Sequence, residues 1–328
     1  MEAVAGSINE FVPVFFQVNP LEWNMNISVG MLGMVLFFNL SGFLITSYLL
    51  RSDAKLPEFL IRRLCRVLPL AWLYLAVVLM FSDASARTWL ANYLFYANLP
   101  PKQLVPLAEH FWSLCVEIQF YAGVALLFLF LRAKGLLLLP LICIGFTLLR
   151  VANGSYASSV TYFRIDEILA GCILALIVQG KLGAPGRWLL REIAAMPKWP
   201  MVLLLVISCF RQSGWLNYLR PYLSVLLIAS TMLTPETILG VWLRARWLSY
   251  VATISYALYV LHLGLTGTWL GSGELLEKYI KRPLLVVALF GLAHLSTFHY
   301  ERRWIAFGKR LSESIRRAGQ RSDPAASI

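Results

Sequence analysis

Apolar runs of membrane length recur along the chain, at about residues 28–50, 67–82, 111–131, 135–150, 164–180, 200–211, 218–234, 248–270 and 283–304. A run of this kind cannot lie exposed in water, and in a bilayer its backbone must bond to itself, which leaves the helix as the local structure. We therefore expect an all-α, polytopic membrane bundle of about nine spans, with those at 67–82, 135–150 and 200–211 the shortest. Composition agrees: 59% of the 328 residues are hydrophobic, 14% are charged and the mean hydropathy is +0.68. A soluble domain of this length has too little interior to hide so much apolar surface.

The net charge of +12 raises the question of nucleic acid. Its distribution answers otherwise, because most Lys and Arg fall on alternate connections: Arg51, Lys55, Arg62, Arg63 and Arg66; Arg132 and Lys134; Lys181, Arg187, Arg191 and Lys198; Arg244 and Arg246; then the run from Arg302 to Arg321. The positive-inside rule puts the 51–66 connection and the C-terminus in the cytoplasm. Residues 1–27, with Glu2, Glu10 and Glu22 and no basic residue, then fall outside, and the expectation is a further helix ahead of them. The reading divides the chain into an extracytoplasmic segment 1–27, a membrane domain 28–307 and a basic cytoplasmic tail 308–328, short and amphipathic or disordered. The five cysteines stand apart in apolar runs and read as small buried hydrophobes.

Ionisable groups inside the apolar runs are the candidates for function, since each is expensive in hydrocarbon unless it faces protein or a wet cavity. In residues 109–121, read as the outer half of a spanning helix, His110, Ser113, Glu117 and Tyr121 are spaced to share one face. A structural hydrogen bond between helices is the bland reading; imidazole, hydroxyl, carboxylate and phenol on one stripe favour chemistry. Ser255, Tyr259 and His262 make a second stripe at i, i+4, i+7, expected to share the same cavity. His294, Phe298 and Glu301 repeat the spacing on the last span, where Glu301 is placed to meet Arg62, Arg63 or Arg66.

In the first span, Gly30, Gly33, Asn39, Ser41 and Gly42 first imply close helix packing, with ligand binding by Asn39 or Ser41 as the sharper alternative. Arg62, Arg63 and Arg66 set topology and meet anionic lipid on one reading, and clamp a phosphorylated cytosolic ligand on the other. Arg164 and Glu167, with Asp166 between them, stand at i, i+3, a structural ion pair or a substrate contact.

Together the stretches 35–46 (FF-x-x-SGFLIT), 59–69 (F-x-x-RR-x-x-R-x-x-P), 110–121 (H-x-WSL-x-x-E-x-QFY), 164–171, 255–262 (SY-x-x-Y-x-x-H) and 300–302 (Y-E-R) resemble the acyltransferase-3 family of integral membrane O-acyltransferases, which includes O-antigen and exopolysaccharide acetylases. The resemblance implies about ten helices. It also implies transfer of an acyl group, usually acetyl from cytosolic acetyl-CoA, to a sugar hydroxyl of a lipopolysaccharide, exopolysaccharide or lipid-linked glycan. On that footing His110, Glu117 and His262 are the catalytic candidates. Ser41, Trp112, Ser113, Gln119, Tyr121, Arg164, Glu167 and Tyr259 are candidates for holding the acceptor, and Arg62, Arg63 and Arg66 for the CoA phosphates, with Glu301 placed beside them at the cofactor end. No metal is implied.

Two departures from the family stand out. Its first helix carries a basic residue and, further along, a His taken as catalytic, and no such pair precedes His110 here. Its last motif reads Glu-x-Pro, where this chain has Glu301-Arg302-Arg303. With a further helix ahead, that helix's His is the expected base and the segments here supply the donor site and the orienting carboxylate. Without one, His110 oriented by Glu117 is the base that remains, although two helical turns separate them unless the helix unwinds. A glycan or lipid transporter and a catalytically impaired relative are the alternatives; only an enzyme would release CoA thiol.

Overall fold

The computed structural model describes residues 29–51, 55–210 and 213–321. The 1–27 segment and the last residues of the tail lie outside them. The described chain is helical, as a membrane bundle requires. It forms two compact units interleaved in sequence. The first comprises residues up to 51, Phe95–Lys102 and Trp112–Ala245; the second comprises 55–94, Gln103–Phe111 and 246 onward.

In the first unit, α1 (Val29–Leu49) packs mainly along α6 (Ile165–Val178). Glycines set how close they come. A Cβ at Gly42 would sit 1.9 Å from the Ile168 carbonyl oxygen, and one at Gly171 would sit 1.9 Å from that of Asn39. Gly42 therefore does what the composition of the first span suggested and brings backbone against backbone, the packing that replaces hydrophobic drive inside lipid, whereas a Cβ at Gly33 would meet nothing within 4 Å. Around this pair stand α4 (Trp112–Gly135), α5 (Leu139–Ala152), α7 (Gly183–Ala195), α8 (Lys198–Ile207), α9 (Leu216–Leu233) and α10 (Ile238–Leu243). Leu174, Ile193, Ile228 and Ala229 close a core between α6, α7 and α9.

The second unit holds α2 (Leu56–Met80), the short α3 (Ala86–Tyr93), a 3-10 turn at Pro106–Phe111, α11 (Arg246–Thr266), α12 (Leu275–Leu295) and α13 (Arg302–Arg321). Pro57 near the start of α2 suits a helix opening, where its missing N–H is no loss. Ser85 caps α3 by accepting from the Thr88 N–H at 3.2 Å. A π turn, Ser296–Glu301, joins α12 to α13.

Helices fall on all nine apolar runs, but fewer than nine can span alone. Among the described residues five are long and apolar enough, Gly30–Leu49, Leu56–Met80, Pro106–Ala152, Arg246–Thr266 and Leu276–Arg317, or six if Ile165–Val178 and Gly183–Ala195, bent by 104°, count as one. At 1.5 Å per residue α6 reaches about 21 Å and α8 about 15 Å, short of a ~30 Å hydrocarbon core. The α9 helix has eighteen residues but carries Asn217 and Arg220. Conversely, the 47-residue stretch Pro106–Ala152 holds two of the expected runs, because the helix breaks at Arg132, whose φ of 53° no α-helix tolerates. The chain is a multi-pass membrane protein.

Candidate functional site

The second unit brings His110 and His262 together, edge to face, with ring centroids 4.7 Å apart. His110 is not on an α-helix, as its spacing to Tyr121 suggested. It sits in the 3-10 turn ahead of α4, where Ala108 has φ −119°. The physical reason is local: Pro106 opens the turn, and the chain has not yet entered α geometry when it reaches the imidazole. His110 Nε2 lies 3.2 Å from the Val260 carbonyl and His262 Nδ1 lies 2.6 Å from the Tyr259 carbonyl. A carbonyl only accepts, so each of these nitrogens carries the proton and the opposite nitrogen of each ring carries a lone pair. For His110 that nitrogen is Nδ1, which is buried and has no hydrogen-bond partner among the described residues.

Two tyrosines fix this pair. The Tyr259 hydroxyl donates to the His110 carbonyl, so one side chain ties α11 to the turn while its own carbonyl holds His262. Tyr74 of α2 donates to the Leu107 carbonyl at 2.6 Å, lies edge-on to His110 and stacks on Phe111 with centroids 5.4 Å apart. Ser255, expected on the same stripe, is exposed and turns its hydroxyl to the Ala252 carbonyl of its own helix. A hydroxyl can satisfy itself on the preceding turn, and this one does.

Glu117 belongs to the first unit, buried on α4. Its Oε1 accepts from Ser41 Oγ at 2.8 Å and from the Tyr121 hydroxyl. Ser113 is buried on the same helix, and the α-helical part of the stripe therefore holds from Ser113 to Tyr121. Gln119 points elsewhere: its Nε2 donates to the Phe95 carbonyl at 2.8 Å and to Asn98 Oδ1 at 2.9 Å, pinning the 95–98 loop.

Five buried charges gather behind α6. Arg164 and Glu167 pair at 3.4 Å, as their spacing predicted, but Arg220 reaches the same Oε1 at 3.4 Å and Arg150 pairs with Asp166 at 3.1 Å. Three cations face two carboxylates. Arg164 is the least well provided: its guanidinium lies 5.0 Å over the Trp112 ring and its two Nη atoms find the Met31 sulfur at 3.7 Å. Sequence reasoning named Arg164, Asp166 and Glu167 but missed Arg150 and Arg220. The signal was there, a cation within each of two otherwise apolar runs.

Arg62, Arg63 and Arg66 open α2. Arg62 is engaged by Glu58 at 2.5 Å and by Ser312 Oγ at 3.0 Å. Arg63 leans over the Phe59 ring. Among the described residues Glu301 does not take an arginine as its hydrogen-bond partner. Its Oε1 accepts from Ser296 and Thr297 at 3.0 and 3.1 Å, with Arg66 acting on it through space. The π turn is the reason: its wider ladder removes Glu301 from the face that α-helical spacing assigns it, and folds the carboxylate back on its own hydroxyls. His294 at the head of that stripe instead meets the Tyr250 hydroxyl at 3.0 Å.

Comparison with known proteins gives a consistent result. The Acyl_transf_3 family model, an acyltransferase domain, matches residues 4–299. The peptidoglycan O-acetyltransferase OatA of Listeria monocytogenes serovar 1/2a is 27% identical over 321 residues, covering 81% of this chain and 50% of that protein. The O-acetyltransferase OatA of Staphylococcus aureus NCTC 8325 is 26% identical over 284 residues, covering 72% of this chain and 46% of that protein. The chain thus spans about half the length of the curated relatives it matches. No solved structure matches.

Proposed function

The chain belongs to the Acyl_transf_3 family of acyltransferases, and from that premise we propose that it moves an acyl group, acetyl in the simplest case, from acyl-CoA to a hydroxyl of a cell-surface or lipid-linked glycan. The observation that carries the reading is the imidazole pair of His110 and His262. Both rings are held by backbone carbonyls, both keep a lone pair, and His110 Nδ1 is buried without a partner among the described residues. A buried acceptor left unpaired costs about 1–3 kcal/mol. A sugar O–H aimed at that nitrogen removes the cost and is the group a general base must meet.

The step then balances as follows. An imidazole takes the proton of the acceptor hydroxyl as its oxygen attacks the thioester carbonyl. The C–O bond forms, the tetrahedral intermediate collapses, the C–S bond breaks, and the departing thiolate takes a proton from the imidazolium. Two adjacent rings suit the two proton movements. Within the first unit, Glu117, with Ser41, Ser113 and Tyr121, and the cations around Arg164, with Trp112 and Glu167 beside them, are the groups we assign to the acceptor.

Support for placing the donor comes from α2. Arg62, Arg63 and Arg66 at its start are guanidinium forks suited to the phosphates of CoA, with Glu301 close by. Tyr74, which lies against His110, is eight to twelve residues further along the same helix. That is about 12–18 Å of axial rise, a distance for the extended arm of CoA to cross. With the arginine end in the cytoplasm of a plasma (inner) membrane, as the positive-inside rule places it, the imidazoles stand near mid-depth. The relatives' names include peptidoglycan, so a cell-wall glycan joins lipopolysaccharide and exopolysaccharide as an acceptor class to test. The experiment is thiol release from acetyl-CoA by membranes bearing the chain, with and without glycan acceptor. Acceptor-dependent thiol supports acyl transfer. Absence of thiol alongside glycan movement across the membrane would replace it with transport.

A further inference from the structure

We infer that α13 (Arg302–Arg321) is a lipid-recognition element that lies on an anionic bilayer surface and seats itself there through an apolar stripe and two rows of cations on the side away from it. The pattern is helical. Trp304, Phe307, Leu311 and Ile315 step by three, four and four residues and share a face, and each is between 38 and 52% exposed. Arg302, Lys309 and Arg316 step by seven, as do Arg303, Arg310 and Arg317, so each set forms a row along the helix. Against the six cations of these rows stands one acidic residue between Arg302 and Arg321, Glu313.

The stripe is not the face on which α13 docks. That face is Gly308 and Ser312, both buried. A Cβ at Gly308 would meet Cys65 Cβ at 2.7 Å, so glycine lets α13 lie directly on α2, and Arg62 Nε donates to Ser312 Oγ at 3.0 Å. The apolar stripe therefore runs beside a seam that is already made, and the cations line the remaining side. A helix with this division of faces sits in the headgroup layer, its stripe in the acyl boundary and its cations among the phosphates.

Charge and hydropathy together favour lipid over an acidic macromolecule. An oligonucleotide or acidic peptide answers the cations but leaves Trp304, Phe307, Leu311 and Ile315 in water. α12, joined to α13 by the π turn, also exposes apolar residues, Leu284, Val287, Leu292 and Leu295. A helix that leaves the hydrocarbon by that route arrives at the interface.

The test uses the full chain in nanodiscs of phosphatidylcholine, with or without phosphatidylglycerol, read by amide hydrogen exchange over residues 302–321. Exchange there is expected to slow on the order of tenfold with the anionic lipid, and to lose that response in high salt. The combined variant Lys309→Glu, Arg310→Glu, Arg316→Glu, Arg317→Glu should exchange at the same rate in both lipids, while α2 and α11 keep the wild-type pattern as a check on folding. In Leu311→Ser with Ile315→Ser, exchange should be faster than wild type in both lipids. Equal wild-type exchange in the two lipids overturns the inference, as does a lipid response retained by the four-glutamate variant. Slowing seen only on adding an oligonucleotide or poly-glutamate overturns it in favour of a macromolecular partner. Acyl transfer is not the readout, so the inference stands or falls apart from the proposed activity.

Discussion

His110 and His262 meet edge to face at 4.7 Å, each with its N–H committed to a backbone carbonyl. If the two imidazoles serve one proton pathway, removing either should stop it. We expect His110→Gln and His262→Gln each to lower the rate of glycan acylation by about 10²–10⁴, without loss of membrane yield. The double variant should be little worse than either single one, because groups that act as a unit are not additive. Wild-type thiol release in either variant, measured on membranes with acetyl-CoA and glycan, would return that histidine to a packing role.

Glu117 gives a second outcome. Its Oε1 accepts two hydroxyls, from Ser41 and Tyr121, so it is held in one orientation. Glu117→Gln keeps size but brings an amide that donates where the hydroxyls donate. As a loss of a charged group that holds the acceptor, this should lower acylation by about tenfold or more, since a hydrogen bond to a charged group contributes about 1.5–3 kcal/mol. Ser41→Ala removes one donor from a buried acceptor, worth about 1–3 kcal/mol, and should lower the unfolding temperature while leaving part of the activity. Equal activity in Glu117→Gln and wild type would make the carboxylate a scaffold.

The buried network supports a ranking rather than a single value. Three arginines share two carboxylates, and Glu167 Oε1 alone receives Arg164 and Arg220 at 3.4 Å each. Glu167→Gln therefore leaves three buried cations with one anion, and should cost about 3–5 kcal/mol, the range for breaking a buried pair. Arg164→Met evens the charges and removes a guanidinium that already leans on a ring and a thioether, and should cost least of the five sites. Thermal unfolding in detergent reads the order directly. An Arg164→Met protein less stable than Glu167→Gln would contradict the charge count.

The α1–α6 crossing is a steric prediction. With Cβ positions at Gly42 and Gly171 each 1.9 Å from a carbonyl oxygen, neither site takes even alanine without moving backbone. Gly42→Ala and Gly171→Ala should each cost about 1–3 kcal/mol, and leucine at either site should abolish folded yield. Gly33→Ala, with nothing within 4 Å of the added atom, is the control and should be neutral.

How much of this was legible beforehand depends on the length scale of the signal. Helices, the Arg164–Glu167 pair and the glycine packing of the first span follow from spacing, because each is set within a turn or two of one helix. The stripes followed only in part. Pro106 takes His110 out of the α-helix, and the π turn takes Glu301 off its stripe, and both are register changes that a period of 3.6 does not contain. The partners of Glu167 were partly invisible because Arg150 and Arg220 come from α5 and α9, far off in sequence. Neighbours brought together by tertiary packing, such as Ser41 with Glu117 or Tyr74 with His110, leave no trace in either segment alone.

The last expectation concerns the donor. Arg62 is engaged on both sides, by Glu58 at 2.5 Å and by Ser312 at 3.0 Å, whereas Arg63 leans over the Phe59 ring and Arg66 is exposed. A guanidinium already spent on a carboxylate and a hydroxyl has less to offer a phosphate. Arg63→Ala and Arg66→Ala should therefore each weaken CoA binding by about tenfold or more, since a hydrogen bond to a charged group contributes about 1.5–3 kcal/mol. Arg62→Ala should weaken it less and act mainly by loosening α13 from α2. Equilibrium dialysis of CoA against the purified protein separates these cases. Unaltered affinity in both Arg63→Ala and Arg66→Ala would remove the clamp and leave these cations to topology and lipid alone.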